Sequence, residues 1–160
     1  MEIIKHLKKG AFLTTINDEK VNTMTISWGN IGVEWGEDVF ITLVRDSRYT
    51  KEFLDETGKF SVTIPIDDSL KNELSFCGTK SGRDYDKIKE CNLRLEKSDK
   101  FDIPHIKCNG IVVECEVMYF QRMDSANMSE SFKEKFYSSG DIHTIYHGKI
   151  LDMYEVCCED

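Results

Sequence analysis

Residues 39–58 read VFITLVRDSRYTKEFLDETG. The first six residues, Val39 to Val44, are β-branched or aromatic apart from Leu43 and carry no charge, as suits a buried strand. Beyond them Phe53 and Leu54 fall at helical spacing from Tyr49 and Thr50, which predicts a helix from Ser47 to about Glu56 that stops at Gly58. Ser47 is the expected cap, its hydroxyl accepting a backbone N–H. A helix start presents free N–H groups and a partial positive charge, and here it comes with two guanidinium groups, Arg45 and Arg48, and the hydroxyls of Ser47 and Thr50. Two readings are open: a socket for a phosphate, or an ordinary capped helix flanked by solvated arginines.

Outward from this hinge the chain reads as a sheet protein. Residues 11–16 (AFLTTI), a polar turn at 17–20 and residues 21–28 (VNTMTISW) predict a hairpin. Its second strand puts Val21, Thr23, Thr25 and Ser27 on one face and Asn22, Met24, Ile26 and Trp28 on the other. Small hydroxyl residues on one face leave room for something flat to lie against the backbone; an edge strand with one wet face explains the same pattern. The next ten residues, GNIGVEWGED, carry three glycines and are expected to form a loop, with Trp35 as a core anchor or a pocket wall. A strand at 60–64 ends at Pro65, and a short helix, SLKNELSF, is capped by Asp67 or Asp68 and closes at Gly78.

Residues 79–90, TKSGRDYDKIKE, form the most charged stretch. They read as a loop entering a helix near Arg83 to Glu90, with Ser81, Gly82 and nearby cations offering a second anion contact. An irregular segment to about Asn109, a long strand at 111–121 (IVVECEVMYFQ), a short helix at 129–137 and a closing strand or strand pair at 143–156 complete the chain. In all, six or seven strands stand against three or four short helices, without βαβ alternation. That balance points to an antiparallel barrel in one domain spanning residues 1–160.

The 160 residues carry a formal charge of −8. An acidic field repels nucleic acid and anionic membranes, so any phosphate must be captured locally. No stretch approaches the ~20 apolar residues of a membrane helix, and MEIIKHLKKG lacks signal-peptide character, so a cytoplasmic protein is expected. Six cysteines without a CxxC pair read as reduced thiols, Cys115 as a core residue and the adjacent Cys157 and Cys158 as incidental.

No G-x-S-x-G elbow, Walker lysine motif or H-E-x-x-H helix occurs. His143 and His147 are four apart, but Ile142, Ile145, Tyr146 and Ile150 around them predict a strand, which separates the imidazoles by about 13 Å, too far to share a metal. No metal site is expected. The phosphate socket, the small-residue strand face and the tryptophans together suit a phosphorylated heterocycle, with flavin and pyridoxal forms both open.

The motifs GAFLTT (10–15), NTMTISWGNIGVEW (22–35), VRDSRYTKEFL (44–54), FSVTIP (60–65), CGTKSGRDYDK (77–87) and HTIYHGKI (143–150), in this order, resemble the flavin reductase-like FMN-binding split β-barrel family, in the branch that includes flavoredoxin. The resemblance implies a mainly β protein with short helices, an antiparallel split β-barrel that forms homodimers and binds FMN non-covalently. It implies an oxidoreductase that moves electrons from NADH or NADPH through FMN to a flavin or protein acceptor; an FMN-bearing electron carrier fed by a redox partner and a split barrel without flavin are the alternatives. By analogy Asn22, Thr23, Met24, Thr25, Ser27 and Trp28 line the isoalloxazine, and Arg45, Ser47, Arg48 and Thr50 hold the phosphate. Ser81, Gly82 and Lys87 belong to a second loop against the cofactor, with Lys87 near the pyrimidine end. No side chain need act as acid or base, so no catalytic residue is assigned. The branch usually has proline at the place of Asp46, and methionine and proline near Glu34 and Asp38; Asp46 puts a carboxylate beside the phosphate, which costs affinity unless it turns away to Arg45 or Arg48, and the acidic pair bears on which electron donor or acceptor docks.

Overall fold

A computed structural model describes residues 2–158. Its core is a seven-stranded antiparallel sheet in the order β2-β1-β5-β8-β9-β4-β3. The strands are β1 (Ala11–Asn17), β2 (Lys20–Ile26), β3 (Gly29–Glu34), β4 (Glu37–Arg45), β5 (Lys59–Pro65), β8 (Gly110–Arg122) and β9 (His143–Val156); the two-residue strands β6 (Leu95–Glu96) and β7 (His105–Ile106) pair separately. Five short helices fill the connections: α1 (Glu2–Lys9), α2 (Tyr49–Thr57), α3 (Lys71–Thr79), α4 (Lys87–Glu90) and α5 (Glu130–Phe136). This is the split barrel that the sequence led us to expect. The sheet curls until β2 and β4 approach, but no ladder joins them, so the barrel stays open along that seam.

Strand β1 is buried along nearly all its length, and the cause is simple. Leu13 points into the barrel with Phe40, Phe60, Val62, Val113 and Tyr146, while its neighbour Phe12 packs outside against Leu74, Cys77, Leu93 and Ile106 under α3. Both faces of the strand are therefore covered. Cys115 is fully buried in the barrel, as expected.

Several sequence expectations need correction. GNIGVEWGED is not a loop: Gly29–Glu34 is an edge strand, turned tightly onto β4 by Trp35 (φ +51°) and Gly36 (φ +80°), both left-handed as a two-residue hairpin turn demands. Trp35 is 71% exposed and is neither core anchor nor pocket wall; it lies at the edge of Tyr119. Helix α2 starts at Tyr49 with Arg48 at the cap position, so Ser47 does not cap it. Gly58 does end it, at φ +63° with its N–H on the Leu54 carbonyl. Neither Asp67 nor Asp68 caps α3, which begins at Lys71 after Leu70 and runs past Gly78 to Thr79. Only Lys87–Glu90 of the expected 83–90 helix is helical, capped by Asp86. Helix α1, an amphipathic octapeptide, was not read from the sequence.

The closing segment is one long strand, and the register between β8 and β9 slips twice, leaving Leu151 and Met118 unpaired. Gly148 stands beside the second slip, opposite Val117. A Cβ there would lie 2.6 Å from Phe60 Cζ and 2.9 Å from Cys115 Cβ. Gly148→Ala should therefore cost about 1–3 kcal/mol of stability, measured by denaturant unfolding; an unchanged midpoint would show that Phe60 can yield.

Candidate cofactor-binding site

The seam between β2 and β4 is the mouth of a cleft. Because β2 is an edge strand, peptide groups not used by β1 face outward along it, as both readings of its pattern allowed. At the barrel end of the cleft a cavity of about 170 Å³ is lined by Met24, Thr25, Ser27 and Trp28 from the β2 side and by Leu43 and Arg45 from β4, with Arg48 and His143 closing it. A second cavity of about 170 Å³ shares Met24 and Arg48 with the first and is lined further by Ser47, Thr50, Ser81, Gly82 and Lys87. Eleven of the thirteen residues nominated from sequence thus border one of these two joined cavities. Asn22 and Thr23 do not. Thr23 is fully buried, its hydroxyl spent on Leu13 O and Thr14. Asn22 acts through another residue: its amide donates to Thr50 Oγ1 at 2.7 Å, which leaves the Thr50 hydroxyl proton free to point elsewhere.

The second cavity holds the electrostatic anomaly of the molecule. Lys87 is 4% exposed, and its sole hydrogen bond among the described residues is a long one, 3.4 Å, to the Cys77 carbonyl. Burial pushes its ammonium down to about 8, the neighbouring Arg48 adding to the effect. Arg48 donates to the Gly78 carbonyl at 2.8 Å, and burial lowers its pKa as well. Two half-satisfied cations side by side are expensive unless an anion joins them. Lys87 lines this cavity with Thr50 and Ser47 and does not line the Trp28 cavity. Gly82 is fixed by close approach: a Cβ would fall 2.0 Å from Asn22 Oδ1, so its loop passes directly over β2.

The helix-start argument is only partly realised. Arg45 is turned to carbonyls, donating to Asp141 O at 2.6 Å and Phe136 O at 3.0 Å. The Asp141 carboxylate takes both donors of Ser47, the backbone N–H at 3.0 Å and the hydroxyl at 2.6 Å. An internal carboxylate therefore sits where Ser47 was expected to hold phosphate, leaving Arg48, Thr50, Ser81 and Lys87 as the available donors. Asp46 pairs with Arg122 at 2.7 Å, not with Arg45 or Arg48. Glu34 accepts from or shares a proton with His147 at 2.7 Å, away from both cavities.

His143, weighed in the sequence only as a metal ligand, belongs to the cleft. It lies on a strand as expected, with Nδ1 at 2.8 Å from the Tyr137 hydroxyl and its ring against Trp28. Burial, reinforced by Arg45, lowers its pKa to about 4, so the imidazole is neutral at pH 7. Tyr137 and Asp141, from the segment after α5, were also missed; Asp141 lies 94 positions from the Ser47 it serves.

The barrel is left open along one seam, with the buried Lys87 and the half-buried Arg48 at one end and an aromatic wall at the other, a shape with room for an elongated ligand carrying an anionic tail. A family model described as "Flavin reductase like domain" matches residues 6–159, and the chain belongs to that family. It is 29% identical over 142 residues to an uncharacterized protein of Archaeoglobus fulgidus, covering 89% of this chain and 70% of that one. Its fold matches the flavoredoxin of Methanosarcina acetivorans (TM-score 0.68, 23% identity, 91% of this chain and 67% of that one). It also matches an FMN-binding domain of a flavin reductases-like enzyme from Shewanella baltica (TM-score 0.71, 13% identity, 96% and 73%).

Proposed function

We propose that the chain binds FMN non-covalently in the seam and is an oxidoreductase that takes electrons from NADH or NADPH and passes them to a flavin or protein acceptor. The observation that carries this reading is the buried, almost unpartnered Lys87 beside Arg48. In an acidic protein such a pair fits one phosphate dianion and little else on offer. FMN, when bound, supplies hydride and single-electron chemistry. The chain's residues bind and orient: Arg48 and Lys87 neutralise the phosphate, the Thr50 and Ser81 hydroxyls donate to it, and Met24, Thr25, Ser27 and Trp28 wall the ring cavity. The Thr25 hydroxyl already donates to Leu74 O at 2.6 Å, so it offers a ring edge only a lone pair.

Association into a homodimer is part of the proposal. Trp28, Phe120, Leu151 and Met153 are each at least 40% exposed, a surface that a second copy would cover. Among the described residues no helix is long and apolar enough to cross a membrane. The fold likeness to a flavoredoxin supports a second reading, an electron carrier without nicotinamide activity, which uses the same site.

Titrating the flavin-free protein with FMN and with riboflavin tests the proposal. FMN should bind at least tenfold tighter than riboflavin, and Arg48→Ala should weaken FMN by about ten- to a hundredfold while leaving riboflavin unchanged. Failure to bind FMN, or equal affinity for both flavins, overturns the site. Anaerobic mixing of the loaded protein with NADH and with NADPH separates the two readings: bleaching of the flavin absorbance marks a reductase, and its absence with both donors marks a carrier.

A further inference from the structure

The segment that lines the second cavity from Thr79 to Lys87 is flanked in the chain by two cysteines that the flavin site does not use, Cys77 on α3 and Cys91 just after α4. The fold brings them together. Cys77 is fully buried in the apolar cluster of Phe12, Leu74, Leu93 and Ile106, and the half-buried Cys91 packs against the same cluster. Both are free thiols, and their side chains share a hydrogen bond. Lys87 is tied to each end of the segment: its ammonium reaches the Cys77 carbonyl, and its own carbonyl accepts the Cys91 N–H at 3.1 Å.

We infer that Cys77 and Cys91 are an oxidisable pair: a hydroperoxide joins them in a reversible disulfide, which closes the segment carrying Ser81, Gly82 and Lys87 into a covalent ring and holds the cavity ready for its anion. Its effect on ligand binding rests on the flavin site proposed above. Cys91, the more exposed thiol, reacts first. It gives up its proton, and its sulfur displaces hydroxide from hydrogen peroxide to become a sulfenic acid; the hydroxide takes that proton and leaves as water. The Cys77 sulfur then attacks the Cys91 sulfur, the S–S bond forms as the S–OH bond breaks, and the hydroxyl departs with the Cys77 proton as a second water. Two thiols are oxidised and one peroxide is reduced. Burial raises both thiols, Cys77 to about 12, although the Lys87 charge opposes it at each sulfur. The reaction should therefore be slow near pH 7 and quicken by about tenfold per pH unit above it while the thiols remain mostly protonated. A ring closed in advance leaves less chain to order when a ligand arrives, which tightens binding.

The experiment uses flavin-free Cys157→Ser/Cys158→Ser protein, which lacks the two exposed tail thiols, treated with hydrogen peroxide and mapped by mass spectrometry after alkylation. A Cys77–Cys91 cross-linked peptide, lighter by two hydrogens and restored by dithiothreitol, is expected. The oxidised protein should bind FMN about three- to tenfold tighter than the reduced protein. Adding Cys91→Ser should leave FMN binding at the reduced value and make it indifferent to peroxide. A cross-link to Cys108, over-oxidation of Cys91 with Cys77 still open to alkylation, or FMN affinity that the cross-link leaves unchanged or weakens, overturns the inference. If the reduced protein binds no FMN, the parent site falls, and the staple is then decided by the cross-link map with trypsin cleavage after the exposed Lys80 and Arg83, which oxidation should slow by about tenfold; cleavage at an unchanged rate counts against it.

Discussion

Lys87→Met is expected to weaken FMN binding by about ten- to a hundredfold while leaving the flavin-free protein as stable as before or more so. The two signs come from one fact. In the free protein Lys87 is a buried cation with a single weak acceptor, and methionine keeps its length while removing the charge that burial disfavours. In the complex that charge has a partner, and a charge-assisted hydrogen bond contributes about 1.5–3 kcal/mol. Its folded pKa of about 8 lies below the ordinary lysine value, so between the two the unfolded chain holds the proton that the folded chain has lost. Stability of the free protein should consequently rise as pH climbs from about 8 toward 10.5, and the rise should vanish in Lys87→Met. Chemical denaturation and FMN titration on the same samples check both halves. A variant that loses stability and binding together would make Lys87 structural.

What could be read from the sequence, and what could not, follows from the distance over which each signal acts. Strand β4, helix α2 and the hairpin of β1 and β2 came out nearly residue by residue, because burial on alternate positions and a glycine stop are local. The edge strand β3 was lost to its glycines, although Gly32 and Gly36 have open space where a side chain would stand. They permit a strand and a turn as readily as a loop. Helix α1 was hidden because its apolar stripe consists of few residues.

The site shows the same division. Arg48, Thr50, Ser81, Gly82 and Lys87, nominated because a helix start and a glycine turn advertise anion binding locally, line one cavity. Who competes for those donors was not legible. Asp141 reaches Ser47 across 94 positions and Arg122 reaches Asp46 across 76, and no local pattern encodes either pairing. The consequence is chemical: the helix start gives up Ser47 to an internal carboxylate, and the burden of holding a phosphate passes to residues that the barrel wall buries.

Acid should destabilise this protein through His143. Above its ordinary pKa near 6.5 the imidazole is neutral in both the folded and unfolded chain and contributes no pH dependence. Below that, the unfolded chain takes up a proton that the folded chain refuses until about pH 4, because the ring is buried and faces the guanidinium groups of Arg45 and Arg48. Folding stability is therefore lost as pH falls from about 6.5 to 4, by up to about 3 kcal/mol, a large share of the 5–15 kcal/mol typical of a domain. Asp141 and Asp46, which oppose the effect by attracting the proton, weaken it only if they stay ionised. His105 is buried too, its pKa lowered by desolvation, and it adds to the same acid limb. His143→Gln separates the two, since glutamine accepts from the Tyr137 hydroxyl without titrating. Unfolding free energies of the parent and the variant should run parallel above pH 7 and converge or cross as the pH approaches 4, with the parent losing more. Parallel curves throughout would mean that His143 takes its proton in the folded chain as readily as in the unfolded one, and that the wall of the cleft is wetter than its geometry states.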